Sequence, residues 1–163
     1  MSQIKIIQTE LVAQNLQDII RKYEEINPVL ADFLRQQDFT ELSKDCLKQA
    51  VTLLLQNHQG LTVAKKIKDF YGKEHDSWNG LPILAVIKSS SFDRGLGISI
   101  KEGGTLVFAT DDYSQQGEVQ KLKNQFIAAF QSVYLANILH IIGYETVQTE
   151  YQNDTYHLLA EEV

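Results

Sequence analysis

Leu96-Gly97-Ile98-Ser99-Ile100-Lys101-Glu102-Gly103-Gly104-Thr105-Leu106-Val107-Phe108-Ala109-Thr110 is the stretch that decides the fold. Two apolar runs, 96–100 and 105–110, flank a turn with two glycines. Glycine takes positive φ at little steric cost, so the stretch predicts a β-hairpin. Ile98 and Ile100 share one face, as do Leu106 and Phe108 across the turn. Upstream, 83–87 is a continuous apolar run that predicts a buried strand. Ser89-Ser90-Ser91 breaks it, and Asp93-Arg94-Gly95 predicts a turn. Downstream, 118–142 predicts the longest helix. Its first turns set Val119, Leu122 and Phe126 against Gln120, Lys121 and Lys123. From Phe126 on it is apolar on most sides, which predicts deep burial over about 126–142, with Phe126, Phe130, Val133 and Ile138 as core anchors. His140 falls on this stretch and is expected to be core or partly buried. Gly143 ends the helix, and 144–151 and 156–160 predict a last hairpin about Asn153-Asp154. The sum is an α+β fold: a small antiparallel sheet packed against a long helix, with additional helices before it.

Working outward to the first half, 3–7 predicts a short strand. From Glu10 the apolar spacing becomes helical and stays so to about Ile26. Asn27-Pro28 is a stop and a start together, because Asn caps well and Pro is preorganised at the first helical position. A short helix over about 28–36 follows. Asp38-x-x-Glu41 offers a capping box for a helix reaching about Asn57. Gly60 fits the left-handed position beyond it, Thr62 caps a further helix over 63–71, and Gly72 ends that one. Residues 28–72 therefore form a helical insertion, and 73–80 a polar connector, within one domain.

The chain has 163 residues, which is about one domain, and at 44% hydrophobic and 22% charged it is ordinary for a globular protein. Its one cysteine, Cys46, excludes an intramolecular disulfide and any multi-cysteine zinc site. No uncharged apolar run approaches the roughly 18 residues of a membrane span, and the start lacks the pattern of a secretory signal. A cytoplasmic location with no membrane association is the expectation. Fifteen basic against 21 acidic residues give a net charge of −6, which argues against bulk affinity for nucleic acid or anionic lipid.

From Leu84 to Leu159 the order of features is a strand, the segment Gly95-Leu96-Gly97-Ile98, a Gly-Gly turn at 103–104 and a strand ending in Phe108-Ala109-Thr110-Asp111-Asp112-Tyr113. A long helix with Phe126 and Tyr134, a Gly143-Tyr144 exit and an acidic final hairpin complete it. This order resembles an uncharacterised family of cyanobacterial and plastid reading frames, the hypothetical chloroplast reading frame thirty-five family. The opening Ser2-Gln3-Ile4-Lys5 running into a helix is similar too. About 100 of the 163 residues take part. The departure is at 28–72, where the family passes through a shorter, strand-like segment. The resemblance implies a fold and a host range, and it supplies no catalytic residues.

Chemistry-bearing patterns are few. Asp111-Asp112 follows a strand and Glu118 lies six residues on, a set of carboxylates able to take Mg²⁺ or Ca²⁺ through oxygen. The plainer reading is an acidic loop entering a helix, with Glu118 favourable near its N-terminus. His58, His75, His140 and His157 have no ligand spacing. Ser89-Ser90-Ser91 is not a nucleophile elbow, and Cys46 lies on an apolar helix face as a small hydrophobe. The helix pair at 41–57 and 63–71, with lysines on the second, outlines a helix-turn-helix nucleic-acid reader, which the acidic chain disfavours. No catalytic residue and no cofactor is predicted.

The leading expectation is a non-catalytic interaction or accessory protein that binds another protein. The alternatives are a metal-dependent enzyme at Asp111 and Asp112 and the helix-turn-helix binder. Phe33, Leu34, Phe39, Leu42 and Leu53 head the partner-binding candidates, because 28–72 carries more apolar residues than an uncovered surface segment tolerates. They are either a partner surface or a second layer on the sheet, and periodicity does not separate the two. A homo-oligomer is a further possibility, since a helix apolar on several sides needs cover on several sides.

Overall fold

The computed structural model describes residues 4–8, 20–36, 38–141, 143–153 and 155–162. The chain runs β1 (Ile4–Gln8), a helical stretch α1 over 20–26, α2 (Pro28–Arg35) and α3 (Phe39–Asn57). Then come β2 (Leu61–Ala64), β3 (Ile67–Lys68), β4 (Glu74–His75), β5 (Ser77–Trp78) and β6 (Leu81–Pro82). β7 (Ala85–Ser89), β8 (Phe92–Ile100), β9 (Leu106–Asp111), α4 (Gln116–Ile141), β10 (Tyr144–Gln152) and β11 (Thr155–Glu162) complete it. The expected first helix lies outside the described residues over 9–19, as does the last position of the long helix, 142.

The hairpin read from 96–110 forms. Ile98 pairs with Phe108 and Ile100 with Leu106, and all four are buried on one face. Alternation carries the rest of the sheet, whose antiparallel order is β1-β9-β8-β7-β2. One face holds Ile87, Leu96, Ile98, Leu106 and Phe108 against α3 and α4. Along α4, Leu122, Phe126, Ala129, Phe130 and Ile138 recur at helical spacing and bury the same stripe. Each of the larger side chains contributes roughly 1.5–3 kcal/mol by leaving water. Phe126 meets Phe108 edge to face at 5.8 Å. The β10–β11 hairpin packs on α4 as a separate two-stranded sheet.

The opposite sheet face is covered thinly by 65–84. Ile67, Ile83 and Trp78 lie over Val86 and Ala109. Gly97 permits this close approach: a Cβ there would sit 3.1 Å from both Ile67 Cγ2 and the Ala109 carbonyl oxygen. The helix caps follow the reading. Asn27 accepts from the Leu30 N–H and Asp38 from the Thr40 N–H. Glu41 faces Lys44 at 3.5 Å, so its side chain supplies an ion pair in place of the second arm of a capping box.

Three expectations are corrected. Residues 63–71 are not a helix: they hold the end of β2 and all of β3, with Asp69 and Gly72 closing a turn between β3 and β4. Leu61 and Val63 alternate with Thr62 and Ala64, and pairing with β7 outweighs a helical spacing that Val63, Ile67 and Phe70 also fit. The helical insertion thus stops at Asn57 among the described residues, and the helix-turn-helix pair does not form. Nor is Asp93-Arg94-Gly95 a turn. The chain reverses at Ser90-Ser91, and 93–95 is a bulge inside β8, where the register with β7 shifts and Gly95 takes φ +89°. Finally, α4 is not buried on nearly all sides, since Leu135, His140 and Ile141 are exposed. His140 Nδ1 lies 3.2 Å from the Tyr144 carbonyl oxygen.

Candidate functional site

The acidic candidates separate. Asp111 ends β9 on the thinly covered face and is 1% exposed. Its Oδ2 accepts from the Phe70 N–H at 2.8 Å and its Oδ1 from the Tyr113 N–H at 3.2 Å. Arg94 Nη1 stands 3.6 Å from Oδ1, an ion pair, while Nη2 donates to the Tyr113 carbonyl at 2.6 Å. The guanidinium also lies over the rings of Phe92 and Phe70, at 5.2 and 5.7 Å. The bulge at 93–95 aims Arg94 here, and Gly95 is needed for it. A Cβ at that position would fall 2.5 Å from Val86 Cγ1. Arg94 and Phe70 were not singled out from sequence. An isolated glycine within an apolar alternating run was the available sign of a bulge.

Glu118 points elsewhere and accepts from Ser91 Oγ at 2.9 Å. Asp112 is half-buried, and its backbone carbonyl accepts from the Gln115 N–H at 2.8 Å. Among the described residues no three His, Cys, Asp or Glu side chains gather into a metal-ligating group. The Asp111 carboxylate is directed at two backbone donors and a fixed guanidinium, the arrangement of an internal tie between the sheet and its cover.

The remaining polar groups are occupied locally. His75 Nε2 lies 3.2 Å from Asp69 Oδ2, and this bond, with the N–H groups of Lys73 and Tyr71, holds the Asp69 carboxyl below its usual range. His58 sits between Gln125 (3.3 Å) and the Tyr151 hydroxyl (3.4 Å). It borders a polar cleft of about 310 Å³ with Ser89, Ser91, Glu118 and Lys121. Ser91 is directed at Glu118 and His58 at Gln125 and Tyr151, so no serine–imidazole nucleophile is assembled from them. Cys46 is buried, and desolvation, helped by the Asp45 charge, pushes its thiol up to about 12. A thiol so placed is not a nucleophile at neutral pH.

The helical candidates divide as well. Leu34 is buried with Ile20 and Ala31, Phe39 is buried in the main core, and Leu42 and Leu53 are half-buried against it. Leu34 and Phe39 are thus core residues, and Leu42 and Leu53 are half-buried against the core. Phe33 alone stays 49% exposed, beside exposed Val29 and Ile26. The same segment contributes to a surface groove whose lining, Leu47, Val51 and Val63 among it, is not that of the five candidates. Between α3 and the β2–β7 side of the sheet runs a groove of about 480 Å³. Leu47, Val51, Val63, Leu84 and Ala85 give its apolar lining, and Glu41, Lys44, Asp45 and Lys48 its charged side. Val63 and Leu84 are 50% and 44% exposed. The four charged residues lie at i, i+3, i+4 and i+7, which places them on one face of α3.

No helix among the described residues is long and apolar enough to cross a membrane. Comparison with family models, with curated proteins and with solved structures finds no match to this chain.

Proposed function

We propose that the protein is a non-catalytic accessory protein that binds a partner protein in the groove between α3 and the β2–β7 side of the sheet. One observation carries the reading: half-exposed Val63 and Leu84 sit next to Leu47 and Val51 inside a rim of alternating charge. An apolar centre within a polar rim is the anatomy of a recognition surface. Eight of its ten lining residues fall within 28–72, the segment whose apolar content suggested a partner surface. The local commitments of Asp111, His58, Ser91 and Cys46 support a binding role over a catalytic one. The family resemblance adds no activity, so the reading rests on the groove.

Val63→Glu combined with Leu84→Glu tests it. Both side chains are half-exposed, so the double variant is expected to keep the wild-type circular dichroism and melting temperature. It is expected to lose the proteins that the wild type captures from an extract of its native host. A folded double variant that captures the same proteins in the same amounts overturns the proposal.

A further inference from the structure

The sheet face turned away from α3 and α4 holds a second cavity, of about 220 Å³. Alternation builds its floor. Ile98, Ile100, Leu106 and Phe108 belong to the helix-covered core, so Ser99, Val107 and Ala109 leave on the other side, and Lys101 follows in the same phase. A short hairpin builds its wall. Asn79 and Gly80 take φ of +51° and +78°, the two positive values of a type I′ turn, and set Trp78 opposite Leu81. Both side chains are half-buried and line the cavity. Two contacts fix this wall before any ligand arrives. Ser99 Oγ donates to the Pro82 carbonyl at 2.7 Å, which ties the hairpin to the floor, and the His75 ring meets Trp78 edge to face at 5.5 Å.

The chemistry of the lining narrows the occupant. Trp78, Leu81, Val107 and Ala109 are apolar, and Ser99 is committed to Pro82. Lys101 is the one charged residue of the lining, so the cavity carries a single positive charge with no acidic residue in its walls. Lys101 is half-buried, and its ammonium has no ion pair or hydrogen bond among the described residues. An apolar concavity with a few placed polar groups is the form of a small-molecule site. Its volume lies below the roughly 300 Å³ at which pockets for drug-sized ligands begin, which suits one ring rather than several. The indole offers a flat apolar surface, and the ammonium a compact point charge. We infer that this cavity binds a small aromatic carboxylate, with its ring between Trp78 and the Val107–Ala109 floor and its carboxylate on Lys101. The site shares no residue with the α3 groove and does not depend on a partner there.

The chain has one tryptophan, Trp78, so its fluorescence reports on this cavity. The full chain is titrated at constant ionic strength with sodium benzoate, benzamide, benzylamine, acetate and inorganic phosphate, with excitation beyond the tyrosine band. Benzoate should change the Trp78 emission saturably, with half-saturation at or below about 10 mM. It should also shift the backbone amides of Ser99, Val107 and Ala109. Benzamide, acetate and phosphate should each bind at least tenfold more weakly, and benzylamine should produce no change. Lys101→Met keeps the aliphatic stem and should weaken benzoate at least tenfold while leaving benzamide within threefold. Lys101→Gln serves the same purpose if the first variant does not fold, and the wild-type comparison of benzoate with benzamide needs no variant. Absence of any saturable change with benzoate in both emission and amide shifts overturns the site. Benzamide or phosphate binding as tightly as benzoate overturns the ligand class, as does undiminished benzoate binding by a folded Lys101 variant.

Discussion

Asp111 shows how a carboxylate pair in sequence becomes something other than a ligand set. Asp111 and Asp112 are adjacent, but β9 ends at Asp111 and Asp112 already belongs to the loop that enters α4. Asp111, the last residue of β9, turns under the cover, where Phe70, Tyr113 and Arg94 meet it. Removing the carboxylate would leave the Arg94 guanidinium, 13% exposed, without its counter-charge. Asp111→Ala is therefore expected to cost roughly 3–5 kcal/mol in chemical denaturation. A loss under about 1 kcal/mol would show that the tie is incidental. Cys46 and Tyr134 set a second expectation. Desolvation, followed by the charge of Asp45, raises Cys46 from 9.0 to about 12. Desolvation, followed by Cys46, raises Tyr134 above its ordinary 10.0. Above pH 9 the unfolded chain releases protons that the folded chain retains, so stability is complete below pH 9 and falls as pH rises toward 12. Denaturation midpoints should drop between pH 9 and 11, and Cys46→Ala should flatten that drop. A midpoint constant over this range contradicts the assignment.

Among the elements, α4 was legible because its apolar positions recur over many turns, and each added turn reinforces the same period. Phe126, Phe130, Val133 and Ile138 are all buried, as their spacing predicted. Phe130 is fully buried and stacks on Tyr134 at 5.8 Å. Phe130→Ala should lower stability by roughly 3–5 kcal/mol. A melting temperature near that of the wild type would show that the helix face has been misassigned. The β8–β9 hairpin was equally plain from its glycine turn and alternation. β2 was not. Four residues are too few to establish a period, and Val63, Ile67 and Phe70 satisfy a helical one by coincidence. The sheet partner Ile87, more than twenty positions away, decides the matter. The bulge at 93–95 was hidden similarly, because Asp-Arg-Gly has turn chemistry and only the register with β7 shows that the strand continues.

For the molecule as a whole, the groove depends on three segments far apart in sequence: α3, β2 and the approach to β7. No local pattern announces such a juxtaposition, whereas the surplus of apolar residues in 28–72 did signal that the segment covers or binds something. Most of that surplus went into packing, through residues such as Leu34, Phe39 and Leu54, while Leu47, Val51 and Val63 line the groove. The central claim is that a partner protein sits there. Its most direct test is photo-crosslinking in the native host, with a benzoylphenylalanine placed at position 63 and, in separate cells, at position 120 on the exposed side of α4. The account predicts one dominant protein adduct at position 63 and none of that adduct at position 120. Equal adducts at both positions, or no adduct at 63 from a folded protein, would contradict it.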